Sequence, residues 1–254
     1  MRFFLSVMLA VLFTGCISQK NDEVATLVNR KVIKVGLEAN FMPLVFKENG
    51  RIKGIEPEIA ARIGELSGAK IELCEYPWND LIPALEAGKI DVIMSGMTIT
   101  AEREKKVDFT KSYIRAGQMA LLRTSDVAEF STKEKITGTT KKIGFIKDTT
   151  GDFFVSEKCT KAQKVPFKET ADGIKALSDK KIDVFIIDAP VVWEMSNPDL
   201  TALLDPLTEE YLGWAVRKND KGMLEGLNKC LILMEMDGSL DSIKKKWIPK
   251  LLLN

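Results

Sequence analysis

Ala84-Leu85-Glu86-Ala87-Gly88-Lys89-Ile90-Asp91-Val92-Ile93-Met94-Ser95-Gly96 is echoed further along the chain by Ala176-Leu177-Ser178-Asp179-Lys180-Lys181-Ile182-Asp183-Val184-Phe185-Ile186-Ile187-Asp188. Each copy reads as the end of a helix, a short polar turn and then a buried strand. Ligands of α/β proteins gather at the carboxyl ends of such strands. The first copy runs on into Gly96-Met97-Thr98-Ile99-Thr100-Ala101-Glu102-Arg103, which offers a hydroxyl and a guanidinium, and the second ends on the carboxylate of Asp188. One strand end suits an anion and the other a cation. A small zwitterion held between two half-molecules is the simplest guest for that pair, and an amino acid is the commonest small zwitterion.

The flanking sequence extends this pattern in both directions. Residues 31–37 (KVIKVGL) read as a strand rich in β-branched residues. After a loop with Pro43 and the turn Glu48-Asn49-Gly50, Pro57 suits the first position of a helix over 58–66 with Ile59, Ile63 and Leu66 on one face, ending near Gly68. A strand over 70–74, a helix over 78–86 and a strand over 90–94 follow. A second set comprises a strand at 142–146, a helix opening at Thr149, a short strand at 164–166, a helix at 170–177 and a strand at 182–187. Residues 212–217 form an apolar run, and helices over 221–236 and 241–247 close the chain. Helices alternating with strands imply α/β units with largely parallel sheets covered on both faces. Two such units, with a remainder too small for a third, imply a chain that crosses into a second lobe near Gln118 and returns near Gly213.

The ends and the composition narrow the setting. Arg2 precedes an apolar run from Phe3 to Phe13, too short to span a bilayer, that stops at Thr14-Gly15-Cys16. Residues 1–15 are therefore expected to be an export signal, with Cys16 as the lipid-bearing amino terminus and 16–30 as a tether. Phe13 stands where the usual lipobox has an aliphatic residue. An uncleaved N-terminal membrane anchor is the other reading of the same run. Without Arg2 the chain carries 36 basic and 36 acidic residues, which gives no basic field for nucleic acid. The chain has no histidine, and Cys74, Cys159 and Cys230 lack zinc-type spacing, so metal sites and Cys-His catalysis are not expected and no cofactor is implied. These three cysteines either form one disulfide with a leftover thiol or are all free.

From Val32 to Trp247 the chain resembles the extracellular amino-acid-binding proteins that feed ABC importers, the solute-binding proteins of family 3. The resemblance rests on VGLEANFMPLVF at 35–46, GIEPEI at 54–59, LIPALEAGKID at 81–91, GMTITAER at 96–103, VDF at 107–109 and IDVFIID at 182–188, in that order and spacing. It implies a two-lobed, type II periplasmic-binding-protein-like α/β fold, with a mainly parallel sheet flanked by helices in each lobe and the ligand cleft between them. The lobes would be residues 31–118 with 214–254, and 119–213. The function implied is the substrate-binding component of an importer that takes an L-amino acid and presents it to a membrane permease. The protein would be exported, tethered by its lipid to the outer face of the cell membrane, and in no need of being more than a monomer.

The same resemblance assigns residues. Arg103 would pair with the ligand's α-carboxylate, a task suited to a planar fork of donors that stays protonated in a closed cleft. Thr98 would add a hydroxyl and Gly96 its backbone, glycine letting main chain approach closely. Thr149 and Thr150 open a helix whose amino end attracts anions, or they simply cap it. Asp148 precedes them where the family commonly has Gly, and its carboxylate would repel the ligand's own unless it points away. Asp188 would hold the α-ammonium, the alternative being a cap for Ala189-Pro190. Phe41 and Trp78 would sandwich the ligand side chain, or pack as core. Glu38 and Glu56 fall where acids reach a cationic side chain in some members, a slight lean toward a basic or polar amino acid. Pro57 replaces the aliphatic residue usual in its segment.

Two other functions compete. Cyclohexadienyl dehydratases resemble the same family and use an acid three residues after the aspartate that Asp188 matches. This chain has Val191 there, which cannot transfer a proton. A ligand-sensing extracellular domain is the third reading, and the 254 residues contain no kinase or second long apolar segment to serve as its output.

Overall fold

The computed structural model describes residues 30–203 and 205–248. The expected signal, Cys16 and the tether before Arg30 lie outside the described residues.

Two five-stranded sheets carry the chain. The first has the order Lys70–Glu75, Val32–Leu37, Val92–Ile93, Ala215–Arg217, Val107–Phe109. The second has the order Gln163–Phe167, Lys142–Ile146, Val184–Asp188, Gln118–Arg123, Leu200–Ala202. In each, the first three strands are parallel. Helices Ile55–Ser67 and Trp78–Glu86 make the crossovers of the first sheet, and Thr150–Lys158 and Thr170–Ser178 those of the second. Consecutive buried residues such as Val35-Gly36-Leu37 follow from a sheet covered on both faces.

Both sheets are more mixed than the helix–strand alternation implies. Ala215–Arg217 runs antiparallel to both its neighbours, as does Gln118–Arg123 in the second sheet. These are the strands that enter each sheet from the other one. No crossover helix precedes them, so nothing forces them to run parallel. Between the sheets the outgoing and returning segments pair as a two-stranded antiparallel ribbon, Ile114–Ala116 with Glu210–Leu212. The apolar run at 212–217 is thus divided: Leu212 belongs to the ribbon and Ala215 to the first sheet.

Local sequence accounts for the element ends. Helix Ile55–Ser67 begins three residues before the expected Glu58, with Pro57 third in it. An amide is dispensable there because the first turn has no carbonyl to receive it. Gly68 closes the helix in the left-handed region at φ 70°.

Each lobe has its own apolar core. In the first, the fully buried Trp214 stacks on Tyr113 with ring centroids 5.4 Å apart. In the second, Phe185 packs edge-on against Phe167 at 6.0 Å. Phe41 and Trp193 are partly buried and touch core residues of both lobes. Cys74, Cys159 and Cys230 are all free, the first half-buried and the others buried, which decides the cysteine question among the described residues. No described helix is long and apolar enough to cross a membrane.

Helix Thr170–Ser178 lies so close to its sheet that a methyl group on Gly173 would come within 2.3 Å of the Phe185 ring. Gly173→Ala is therefore expected to destabilise the protein by about 1–3 kcal/mol in urea unfolding, because overpacking outweighs the helix-propensity gain. Gly222→Ala, where the methyl meets nothing within 4 Å, should be neutral or slightly stabilising in the same experiment.

Candidate functional site

A cavity of about 360 Å³ opens between the two lobes at the carboxyl ends of their parallel strands, within the size range of small-molecule sites. Of the residues singled out above, Glu38, Phe41, Trp78, Gly96, Thr98, Arg103, Asp148, Thr149, Thr150 and Asp188 line it. Glu56 does not.

Arg103 owes its place to a very short helix. Thr100 caps Ala101–Glu104 by accepting the Arg103 amide at 3.2 Å. The guanidinium turns back, donates from Nη1 to the Thr98 carbonyl at 2.8 Å and lies over the Trp78 ring with Cζ 5.1 Å from its centroid. It is half-buried and makes no ion pair among the described residues. Burial lowers its pKa, while the carboxylates of Asp188 and Glu210 act in the opposite direction.

Asp188 occupies the N-cap position of helix Ala189–Met195 but makes no capping bond. Its Oδ1 accepts instead from Gln118 Nε2 at 3.0 Å, across the strand pair in which Gln118 and Asp188 are directly opposed. Burial, then the charge of Glu210, raises its pKa to about 7, against the Gln118 hydrogen bond and the more distant Arg103. The two strand ends therefore present a guanidinium and a carboxyl group to one cavity, neither with a counter-ion at contact distance.

The hydroxyls behave differently from expectation. Thr98 and Thr150 both donate to Glu210 Oε2, at 2.8 and 2.9 Å, and Thr150 also accepts from Gln118 Nε2 at 3.0 Å. Thr149 donates to the Ile146 carbonyl at 2.7 Å rather than capping its helix. A hydroxyl has one proton to give, so in this arrangement none of the three offers a donor to an anion. Gly96 sits at φ 65°, where a side chain would collide with Phe41, and its amide donates to Glu56.

Glu56 is the one candidate the structure removes from the cavity. It is 1 % exposed, and its Oε1 takes both the Gly96 amide at 2.9 Å and the Tyr113 hydroxyl. Helix Ile55–Ser67 carries it beneath the glycine rather than toward the ligand space. Burial raises its pKa to about 7 despite both hydrogen bonds. Glu38 does reach the cavity, with Oε1 accepting the Trp78 amide at 3.0 Å and so anchoring the start of helix Trp78–Glu86.

Asp148 lines the cavity with its carboxylate engaged by the other lobe. At φ 61° it holds the left-handed conformation that the family's glycine would adopt readily. Its Oδ2 accepts from Asn79 Nδ2 at 3.1 Å and its carbonyl from Trp78 Nε1 at 3.2 Å. With Asn40 Nδ2 donating to Glu169 Oε2 at 2.9 Å, these bonds join the two lobes across the mouth of the cleft.

Glu210, Asn79 and Glu169 belong to none of the sequence motifs, Asn40 stood there only within the 35–46 stretch, and Gln118 only as the crossing point between the lobes. One local signal was present for Glu210: in a strand of alternating faces it shares the side of buried Leu212, opposite the exposed Tyr211. The others depend on strand register or on contact between the lobes.

The sequence model of the bacterial extracellular solute-binding proteins, family 3, matches residues 33–250. A probable histidine-binding protein from Neisseria gonorrhoeae is 30% identical over 95% of this chain and 92% of that protein. The crystal structure of an ancestral amino-acid-binding protein, described as a precursor of cyclohexadienyl dehydratase, superposes with a TM-score of 0.83 at 32% identity, covering 89% of this chain and 99% of that one. A putative ABC-transporter binding component from Wolinella succinogenes, complexed with lysine, gives a TM-score of 0.83 at 28% identity over 87% of this chain and 97% of that one.

Glu56 makes a prediction independent of any ligand. Its folded pKa of about 7 lies above the 4.5 of an unperturbed glutamate, so the folded state holds the proton more tightly. The stability this contributes is fully present below about pH 4.5 and is lost as pH rises through about 7, to the extent of roughly 3 kcal/mol. In urea unfolding across that window, Glu56→Gln should lose this share of the decline. Parallel stability curves for the two proteins would refute the assignment.

Proposed function

The chain belongs to the bacterial extracellular solute-binding proteins of family 3, and on that footing we propose that it is the substrate-binding component of an ABC importer that captures an L-amino acid between its lobes. One observation carries the reading: Arg103 and Asp188, of opposite charge and without counter-ions, face a single interlobe cavity. An α-amino acid supplies both missing partners, its carboxylate to the guanidinium and its ammonium to Asp188. Charge-assisted hydrogen bonds formed as the cleft excludes water provide the binding energy.

Residues 31–118 with 214–254 form one lobe in this proposal and 119–213 the other, with the ribbon of Ile114–Ala116 and Glu210–Leu212 as the hinge. Phe41 and Trp78 flank the ligand side chain. Glu38 and Glu169 line the same cavity and favour a basic or polar side chain. The relatives named for histidine and found with lysine agree with that lean. The protein is exported, works with membrane permease subunits as a monomer, and is held to the membrane by a lipid on Cys16. Catalysis is not part of the proposal. Val191 stands where the dehydratase resemblance would need an acid, and it is fully buried.

The test is ligand binding by protein unfolded and refolded to strip any captive ligand, screened by thermal shift against the common amino acids with calorimetry on the hits. A ligand at one hundred times its dissociation constant adds about 2.7 kcal/mol of stability. Silence from every amino acid would overturn the reading. Arg103→Ala should weaken the identified ligand by about 2–5 kcal/mol, since it leaves a carboxylate unpaired in the cleft. Retention of affinity within a factor of two would remove Arg103 from the site.

The contact at the cleft mouth makes a kinetic prediction. Asn79→Ala removes one exposed hydrogen bond between the lobes, worth about 0.5–1.5 kcal/mol, and should speed ligand release roughly two- to tenfold. Stopped-flow recording of tryptophan fluorescence reads this directly, and an unchanged release rate would show that the bond does not hold the closed form.

A further inference from the structure

Glu210 is absent from the ligand readings above, yet it is the most heavily hydrogen-bonded acid beside the cleft. It sits on the ribbon, opposite Ala116, and is 8 % exposed. Its Oε1 accepts the Thr208 hydroxyl at 2.8 Å, and its Oε2 accepts Thr98 from one lobe and Thr150 from the other at 2.8 and 2.9 Å. The carboxylate has no cation at contact distance among the described residues and is satisfied by three threonine hydroxyls.

These bonds form part of a continuous chain. Asp188 receives Gln118 Nε2, which also donates to Thr150. Thr150 and Thr98 then meet on a single oxygen of Glu210, and the Thr98 carbonyl receives Arg103. The Gln118 amide is tied to the same region by donating to Thr208 at 2.8 Å. The two expected ligand-charge partners, one per lobe, are thus linked through one side chain on the connection between the lobes.

We propose that Glu210 is a positioning residue that couples ligand binding to lobe closure by accepting a hydroxyl from each lobe at once, holding Thr98 and Thr150 in register only when the cleft is shut. Thr98 belongs to the loop leaving the first sheet and Thr150 to the helix opening the second unit. Rotation about the ribbon separates them, so the shared oxygen serves both only in the closed arrangement. The identity of the ligand rests on the amino-acid reading above. The geometry of the coupling does not.

Charge gives the role a second readout. The charged groups bearing on Asp188 are Glu210 and Arg103, and Glu210 is a like charge that helps raise its pKa toward about 7. Asp188 must be ionised to receive an ammonium, so affinity falls on acidification as its carboxyl takes up a proton. Glutamine at 210 keeps an oxygen for the two threonines but removes the charge. Asp188 should then ionise at lower pH.

The experiment compares wild type, Glu210→Gln and Glu210→Ala in the full exported protein. Glu210→Ala is expected to weaken the amino acid found in the screen by about tenfold or more, mainly through faster release. Glu210→Gln should recover to within about threefold of wild type above neutral pH, where the hydroxyl acceptor is retained. Its acid limb of binding should move to lower pH, and the carbon NMR titration of the Asp188 carboxyl in ligand-free protein should move the same way. A purely structural residue would change unfolding stability without moving either titration. Glu210→Ala within a factor of two of wild type, or a Glu210→Gln titration superimposed on wild type, overturns the proposal. If wild type binds no amino acid, the functional reading fails separately. The distance between spin labels on the two lobes of free protein then decides the coupling: a more open Glu210→Ala supports it, and an unchanged distribution overturns it.

Discussion

Two apolar cores between which the chain passes out and back along one two-stranded ribbon is the constraint on which the rest of this molecule depends. Because both passages run side by side, the sheets share one edge of approach, and the carboxyl ends of their parallel strands face each other across a cleft. The antiparallel strands Gln118–Arg123 and Ala215–Arg217 are the same passages continued into each sheet. Their positions put Gln118 opposite Asp188 and carry Glu210 up to the loop that holds Thr98.

The electrostatics of the cleft follow from that meeting. A guanidinium and a carboxyl group are each withdrawn from water without an ionic partner, a state that desolvation makes costly. The pKa shifts of Asp188 and Arg103 both point toward the neutral forms for that reason, burial being the first cause in each. A zwitterion reverses the penalty on both sides at once. Glu210 adds a third charge, held by hydroxyls rather than by a cation, and so keeps two threonines from acting as donors to a ligand while the cleft is as seen here.

Several features were legible along the chain. The helix–turn–strand echo at 84–96 and 176–188 implied two similar α/β units, and the strands Val92–Ile93 and Val184–Asp188 occupy equivalent places in their sheets. Helix limits such as Trp78–Glu86 and Lys221–Met236 could be read from apolar periodicity, because each buries one stripe against its own lobe. Glu56 shows where such reading stops. Its neighbours and its match to an acid-bearing family position gave no hint that a helix beginning three residues early would turn it under Gly96, where Tyr113, far away in sequence, supplies a donor.

The sequence by itself determined what short-range physics controls: that helices such as Trp78–Glu86 and strands such as Lys142–Ile146 form, that they build two α/β units, and that Asp188 stands at a strand end, since these depend on periodicity, capping and turn residues within a few positions. Tertiary structure alone decided which polar groups are already engaged. Thr98 and Thr150 give their protons to Glu210, and Asp148 turns to Asn79. A hydrogen bond depends on two groups coming within about 3 Å at a suitable angle. For residues separated by 60 to 112 positions, that distance is set by the packing of whole lobes and by strand register, neither of which any local stretch records.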